Sequence, residues 1–199
     1  MGKRIFDLFS SAVGLIILSP LFLLIAILIK LDSTGPVFFK QKRIGLKGKM
    51  FNIYKFRTML ANTKGEDRQI TIGLDSRITR RGRILRKFNL DELPQLINVL
   101  KGEMSLVGPR PEVPKYVELY SEGQKKVLSV KPGMTDYASI EFNKESEILA
   151  SSSHPKDDYV RKIMPQKIIL NLKYINDRSI LLDFILILRT LREILGDIR

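Results

Sequence analysis

Apolar residues run through positions 8–29 with no formal charge among them, and a helix of that length reaches across the hydrocarbon layer of a bilayer. Ser19-Pro20 interrupts the run near its middle. Proline removes a backbone donor and crowds the preceding turn, so a break is expected there, with the Ser19 hydroxyl available to a freed carbonyl. Lys3 and Arg4 precede the run, while Lys30, Lys40, Lys42 and Arg43 follow it. A spanning helix would send one basic cluster across the membrane. A helix that dips in, bends at Ser19-Pro20 and returns keeps both on one face, in line with the positive-inside bias. A re-entrant hairpin over residues 1–30 is therefore expected, with a proline-kinked span as the alternative. A cleaved leader fits less well, because no small-x-small site closes the run.

Residues 37–59 alternate apolar and polar positions around Gly45 and Gly48, which predicts a β-hairpin. Residues 61–76 are polar and read as a loop. Residues 77–87 hold Arg77, Arg80, Arg81, Arg83, Arg86 and Lys87 around Ile84 and Leu85, a short amphipathic helix. Leu93, Leu96, Ile97 and Leu100 follow helical spacing. In Val107-Gly108-Pro109-Arg110-Pro111 the prolines and glycine fix a stiff loop around one arginine. Residues 116–130 read as helix, Lys131-Pro132-Gly133 as a turn, and residues 143–162 as a second polar loop that carries the only histidine, His154, expected to be solvent-exposed. Residues 179–195 are very apolar but interspersed with Asp183, Arg189, Arg192 and Glu193, so they are expected to lie against the bilayer surface or the core rather than to span. The sum is an α+β, membrane-associated chain: the re-entrant helix at residues 1–30, then at 31–199 a mostly helical domain with a small β-hairpin and surface amphipathic helices.

Composition narrows the partners. The 199 residues are 44% hydrophobic, enough to bury a core. Cysteine is absent, which excludes a disulfide scaffold, a thiolate zinc site and a cysteine nucleophile. With 34 Lys and Arg against 21 Asp and Glu, the formal charge of +13 points to anionic partners: acidic lipid, phosphorylated small molecules or nucleic acid. No nucleic-acid recognition motif is present, so nucleic acid is not expected among them.

The segment Arg86-Lys87-Phe88-Asn89-Leu90-Asp91-Glu92-Leu93-Pro94-Gln95-Leu96 sets adjacent carboxylates at a helix start, directly after the basic stretch. Acidic residues there complement the helix dipole and cap its first amides, and that structural role alone accounts for an isolated Asp-Glu-x-Pro. A helix start flanked by arginines also attracts phosphate. In that setting Asp91 is a candidate nucleophile for phosphoryl transfer, with Mg²⁺ held by Glu92 and a diphosphate to cancel the repulsion between anions, and with Arg57, Arg86 and Arg110 adding positive charge. The rival is a non-enzymatic basic membrane adaptor that binds anionic lipid or nucleic acid.

Lys55-Phe56-Arg57-Thr58-Met59, the run from Leu90 through Asp91-Glu92-Leu93-Pro94-Gln95 to Ser105, and Val107-Gly108-Pro109-Arg110-Pro111 stand in fixed order. In these blocks the chain resembles the bacterial sugar transferases, the monotopic phosphoglycosyl transferases. The resemblance implies a ping-pong reaction: Asp91 attacks the β-phosphorus of a UDP-sugar, UMP leaves, and undecaprenyl phosphate takes the phosphosugar, beginning a membrane glycoconjugate such as O-antigen, capsule, exopolysaccharide or a glycoprotein glycan. It further implies Mg²⁺ on Glu92 and Asp91, substrate binding by Lys55, Arg57, Arg86 and Arg110, Ser19-Pro20 as the membrane-helix break, placement at the cytoplasmic face of the inner membrane, and possible homodimers. The short chain is expected to be a minimal catalytic unit. After Pro132-Gly133-Met134-Thr135 the family often continues with glycine and later glutamine and arginine. Here Asp136-Tyr137-Ala138-Ser139-Ile140-Glu141-Phe142-Asn143 follows, and no binding role carries over to it.

Overall fold

A computed structural model describes residues 2–60 and 75–196. The apolar run forms α1, Gly2–Asp32, which stays helical through Pro20. The expected interruption of the helix at Ser19-Pro20 is thus not seen. Proline leaves the Ile16 carbonyl without its usual donor, and the Ser19 hydroxyl donates to that oxygen at 2.8 Å. By length and composition alone α1 is long and apolar enough to cross a membrane.

One face of α1 is fastened to the rest of the chain along its length. At its start the Lys3 Nζ donates to the Val107 carbonyl (3.0 Å) and pairs with Asp183 (2.5 Å), while Arg4 donates to the carbonyls of Val99 and Leu100. The buried Asp7 carboxylate accepts from the Ser105 hydroxyl (2.9 Å) and the Leu106 amide (3.1 Å). At its far end Ile25 and Ile29 pack with Phe56 and Leu85, and Arg81 donates to the Leu28 carbonyl. The opposite face leaves Ile5, Phe9, Ile16, Ile17, Leu23 and Leu24 exposed.

The predicted hairpin is β1, Phe38–Ile44, antiparallel to β2, Met50–Phe56, with Phe38 opposite Phe56 and Ile44 opposite Met50. Its connection turns through Lys47 and Gly48, both at positive φ. Then come α2, Arg80–Lys87, and α3, Gln95–Lys101, joined by a 3₁₀ turn at Leu90–Glu92. The polar stretch 61–76 lies outside the described residues up to position 74.

A second pairing was not legible beforehand. β3, Ser105–Val107, runs parallel to β4, Gly133–Thr135, so the expected turn at Lys131-Pro132-Gly133 instead feeds a strand. The strands meet where two glycines face each other: a Cβ on Gly133 would fall 2.1 Å from the Gly108 nitrogen.

The helix expected over residues 116–130 is two shorter pieces, α4 at Pro114–Val117 and a 3₁₀ turn at Gln124–Ser129. Between them the Ser121 hydroxyl accepts from the Gln124 amide, a local bond that competes with continuous helix. Residues 143–162, read as a loop, are largely helical: α5, Tyr137–Glu141, is followed by α6, Glu145–Ala150, α7, Pro155–Asp158, and a π-turn at Tyr159–Ile163. Leu149, Tyr159 and Ile163 supply a sparse apolar face that joins Val113, Tyr116, Val127, Met164 and Ile168 in one core. His154 is exposed, as expected.

The chain closes with α8, Met164–Asp177, and α9, Ile180–Gly196. From α9, Leu186 packs with Val107 and Tyr174, while Leu181, Phe184, Leu188 and Leu191 stay exposed. Gly2 of α1 lies against Ile180, so the exposed apolar faces of α1 and α9 begin side by side.

Candidate active site

The carboxylate pair is set by the backbone between α2 and α3. Asn89 adopts a left-handed conformation (φ 52°), which ends the turn after α2 and reverses the chain into the 3₁₀ turn that carries Asp91 and Glu92. Pro94 then caps α3 with its φ already near the helical value. Asn98 locks α3 to the hairpin: its side-chain oxygen accepts from the Tyr54 amide (3.0 Å), and its amide donates to the Asn52 carbonyl and Glu103, both at 2.7 Å. The neighbouring Lys55 is thereby held over the dyad.

Glu92 is the electrostatic centre. Lys55 Nζ donates to Oε1 at 2.7 Å, and the Arg110 guanidinium grips both carboxylate oxygens, with 2.9 Å at Oε2 and a shorter contact at Oε1. Burial by itself would raise the Glu92 carboxyl. Arg110 and Lys55 outweigh it and hold the group well below the usual carboxylate range. Glu92 in turn pushes the Arg110 guanidinium up, whereas burial is the largest influence on Lys55 and lowers it.

Asp91, 7% exposed, behaves oppositely. Burial raises it to about 6, helped by the Glu92 charge and opposed by Lys55, Arg86 and Arg110. Two adjacent carboxyls are thus driven apart: one is locked as an ion-paired anion, and the other is raised towards neutrality.

Arg110 is aimed by its own backbone. Its amide donates to Asp136 Oδ2 at 3.0 Å, the Pro109 carbonyl accepts from Gly133, and the Gly108 amide donates to Thr135. Asp136 also caps α5 through the Ser139 amide at 2.5 Å. The segment where the chain departs from the commoner family pattern therefore helps position the arginine loop. An aspartate preceding a short helix is the sequence signal for such a cap.

Of the residues predicted for the site, Asp91, Glu92, Lys55 and Arg110 come together. Arg86 lies close enough to Asp91 to act on its charge, and it donates from Nε to the Thr58 hydroxyl at 2.8 Å. Arg57 is placed differently. Its terminal nitrogens donate to the Ser33 and Thr34 carbonyls (2.7 and 2.5 Å), where they fix the chain after α1 rather than face the dyad. Ser19 and Pro20 lie in α1, away from this cluster.

Among the described residues no group of three or more metal-ligating side chains occurs. Two neighbouring carboxylates suit Mg²⁺ in its usual phosphate-assisted mode, in which one or two protein oxygens combine with substrate phosphates and water. Fit requires Glu92 to release part of its grip on Lys55 or Arg110.

The dyad faces a cleft of about 1750 Å³. Arg57, Arg77, Arg83, Arg86 and Lys87 line one part of it, Phe6, Gly14 and Leu18 of α1 with Phe184 and Leu191 of α9 line another, and Arg43, Glu112, Tyr159 and Asn171 line a third.

The chain belongs to the bacterial sugar transferase family, whose model matches residues 1–197. Among its relatives, an undecaprenyl-phosphate glucose phosphotransferase of Komagataeibacter xylinus is 42% identical over 97% of this chain and 36% of that relative. A UDP-N-acetylgalactosamine-undecaprenyl-phosphate N-acetylgalactosaminephosphotransferase of Aeromonas hydrophila is 36% identical over 97% of this chain and 43% of its own length. A UDP-glucose:undecaprenyl-phosphate glucose-1-phosphate transferase of Caulobacter vibrioides is 37% identical over 98% and 70% respectively. The chain thus spans less than half the length of the first two.

The Glu92–Arg110 pair is testable by a double-mutant cycle of Glu92→Gln and Arg110→Met, read by denaturant unfolding in detergent. The expected coupling is roughly 1–2 kcal/mol, because Glu92→Gln leaves the Arg110 guanidinium without its carboxylate and Arg110→Met leaves Glu92 with Lys55 as its remaining cation. Additive effects would remove the pair from the architecture of the site.

Proposed function

We propose that this chain transfers a sugar-1-phosphate from a UDP-sugar to undecaprenyl phosphate, releasing UMP, through a phosphosugar bonded to Asp91. The observation that carries this reading is the split dyad. A buried carboxyl raised to about 6 sits beside a fully ion-paired one, with Arg86, Lys55 and Arg110 around it, in a cleft that offers both a cationic wall and an apolar wall. Family membership and the named activities of the relatives agree with it. A basic adaptor would have no use for two buried carboxylates, whose desolvation is costly.

In the first step an Asp91 oxygen forms a bond to the β-phosphorus of the donor. The bond from that phosphorus to the α,β-bridging oxygen breaks, and the electron pair leaves with UMP. In the second step a phosphate oxygen of undecaprenyl phosphate bonds to the same phosphorus and Asp91 is released as carboxylate. Arg86 and the Lys55/Arg110 pair offset negative charge around the phosphoryl group, which is most of what such a reaction asks of a protein. Mg²⁺, held by Glu92 and Asp91 together with the diphosphate, would supply additional neutralisation of the phosphate charge.

Asp91→Asn, nearly the same shape but a far weaker nucleophile, is expected to abolish UMP release from a UDP-sugar, and wild-type release is expected to stop on chelation and return with Mg²⁺. Full turnover by the variant would remove Asp91 from the mechanism, and turnover in chelator would remove the metal.

The same reading includes membrane seating at the cytoplasmic face of the inner membrane, without export of either end of α1. A straight helix of this length extends about 45 Å, yet Lys3 and Arg4 at one end and the Leu28 carbonyl at the other are bonded to the same folded body. Such fastening supports a helix that enters the bilayer by its exposed apolar face and keeps both ends on one side. The chain contains no cysteine, so Gly2→Cys creates a single label site. It is expected to react with an impermeant maleimide only in inside-out vesicles, and reaction from the periplasmic side would establish a span instead.

A further inference from the structure

The three walls of the cleft differ in charge, and the difference assigns the parts of the donor. Among the described residues, the cationic wall formed by Arg77, Arg83, Arg86 and Lys87 contains one carboxylate, Asp75, which is paired with Arg77 at 2.6 Å. That wall suits the phosphates and the departing UMP. The wall between α1 and α9 is apolar and suits a prenyl chain. The third wall, beyond Arg110, is polar but balanced: Arg43 and Lys167 stand against Glu112 and Glu145.

The balanced wall is also tied together by hydrogen bonds. Glu112 accepts from Arg43 (3.4 Å), from the Val113 amide (2.8 Å) and, in a short contact, from the Tyr159 hydroxyl. Lys167 donates to Glu145 at 2.7 Å. Two buried polar atoms there remain without partners, Arg43 Nε and Asn171 Oδ1. One is a donor and one an acceptor, an arrangement that favours a neutral group with hydroxyls over an anion. Asn171, Arg110 and Glu112 also border a recess of about 20 Å³, room for a hydroxyl or a water and too small for a phosphate.

We infer that the Arg43–Glu112–Asn171 wall, with the Lys167–Glu145 pair at its rim, binds the glycosyl group of the donor and determines which UDP-hexose is accepted. The inference rests on the sugar-phosphate transfer proposed above. It is consistent with relatives whose names share the UDP-dependent class but differ between glucose and N-acetylgalactosamine.

The test measures UMP release by the full chain with UDP-glucose, UDP-galactose, UDP-N-acetylglucosamine and UDP-N-acetylgalactosamine, comparing wild type with Asn171→Ala. The ratio of kcat/KM between the best donor and its nearest competitor is expected to fall about tenfold, the scale of one lost sugar hydrogen bond, while inhibition by UMP stays unchanged. An unchanged donor ratio, or a parallel weakening of UMP inhibition, would overturn the assignment. Lys167→Met at the rim supplies the same readout if Asn171→Ala does not fold. A wild-type chain that releases UMP from none of the four donors would instead fail the transfer reaction itself.

Discussion

Two carboxylates on consecutive residues cannot both be buried as free anions, because each loses hydration and each repels the other. Here the conflict is resolved asymmetrically. Arg110 and Lys55 direct their hydrogen bonds to Glu92, so that carboxylate stays charged and structurally committed, and at Asp91 burial and the Glu92 charge outweigh the attraction of Lys55, Arg86 and Arg110. The rest of the molecule serves this asymmetry. The hairpin carries Lys55, the paired glycines at 108 and 133 let two backbones approach closely enough to hold the Arg110 loop, and Asp136 ties that loop to α5.

The same economy links the site to the apolar helix. Asp7 of α1 bonds Ser105 and the Leu106 amide on β3, two residues before the stiff arginine loop begins, and Arg57 at the end of β2 grips the carbonyls that follow α1. The apolar element and the chemical one are therefore a single packed unit, and the cleft opens between them. In the proposed transfer a phosphorylated lipid and a nucleotide-sugar meet at one phosphorus, and an apolar wall beside a cationic one would give each a path to it.

Local periodicity made much of this legible in the sequence. Alternation around Gly45 and Gly48 gave the hairpin, spacing of Leu96, Ile97 and Leu100 gave α3, and the prolines around Arg110 gave its rigid loop. What stayed hidden was non-local or sparsely patterned. A three-residue parallel pair such as β3 and β4 has no periodicity of its own and exists only because distant segments meet. Residues 143–162 read as loop because polar residues dominate, yet Leu149 and Tyr159, with Val160 beside them, suffice to bury one side. At Pro20 the general rule against proline inside helices was offset by the hydroxyl one residue earlier. In the site, residue type identified the dyad and Arg110, but the turn of Arg57 towards α1 and the capping role of Asp136 follow from tertiary placement that spacing does not encode.

Covalent participation of Asp91 is the claim from which the split dyad takes its meaning. Its most direct test is intact-protein mass spectrometry of the wild-type chain incubated with an accepted UDP-sugar and no lipid acceptor. One phosphosugar is expected on the peptide that contains Asp91, and it should disappear when undecaprenyl phosphate is added. UMP release and lipid product formation without any adduct on that peptide would contradict it, because the phosphosugar would then pass directly from donor to lipid.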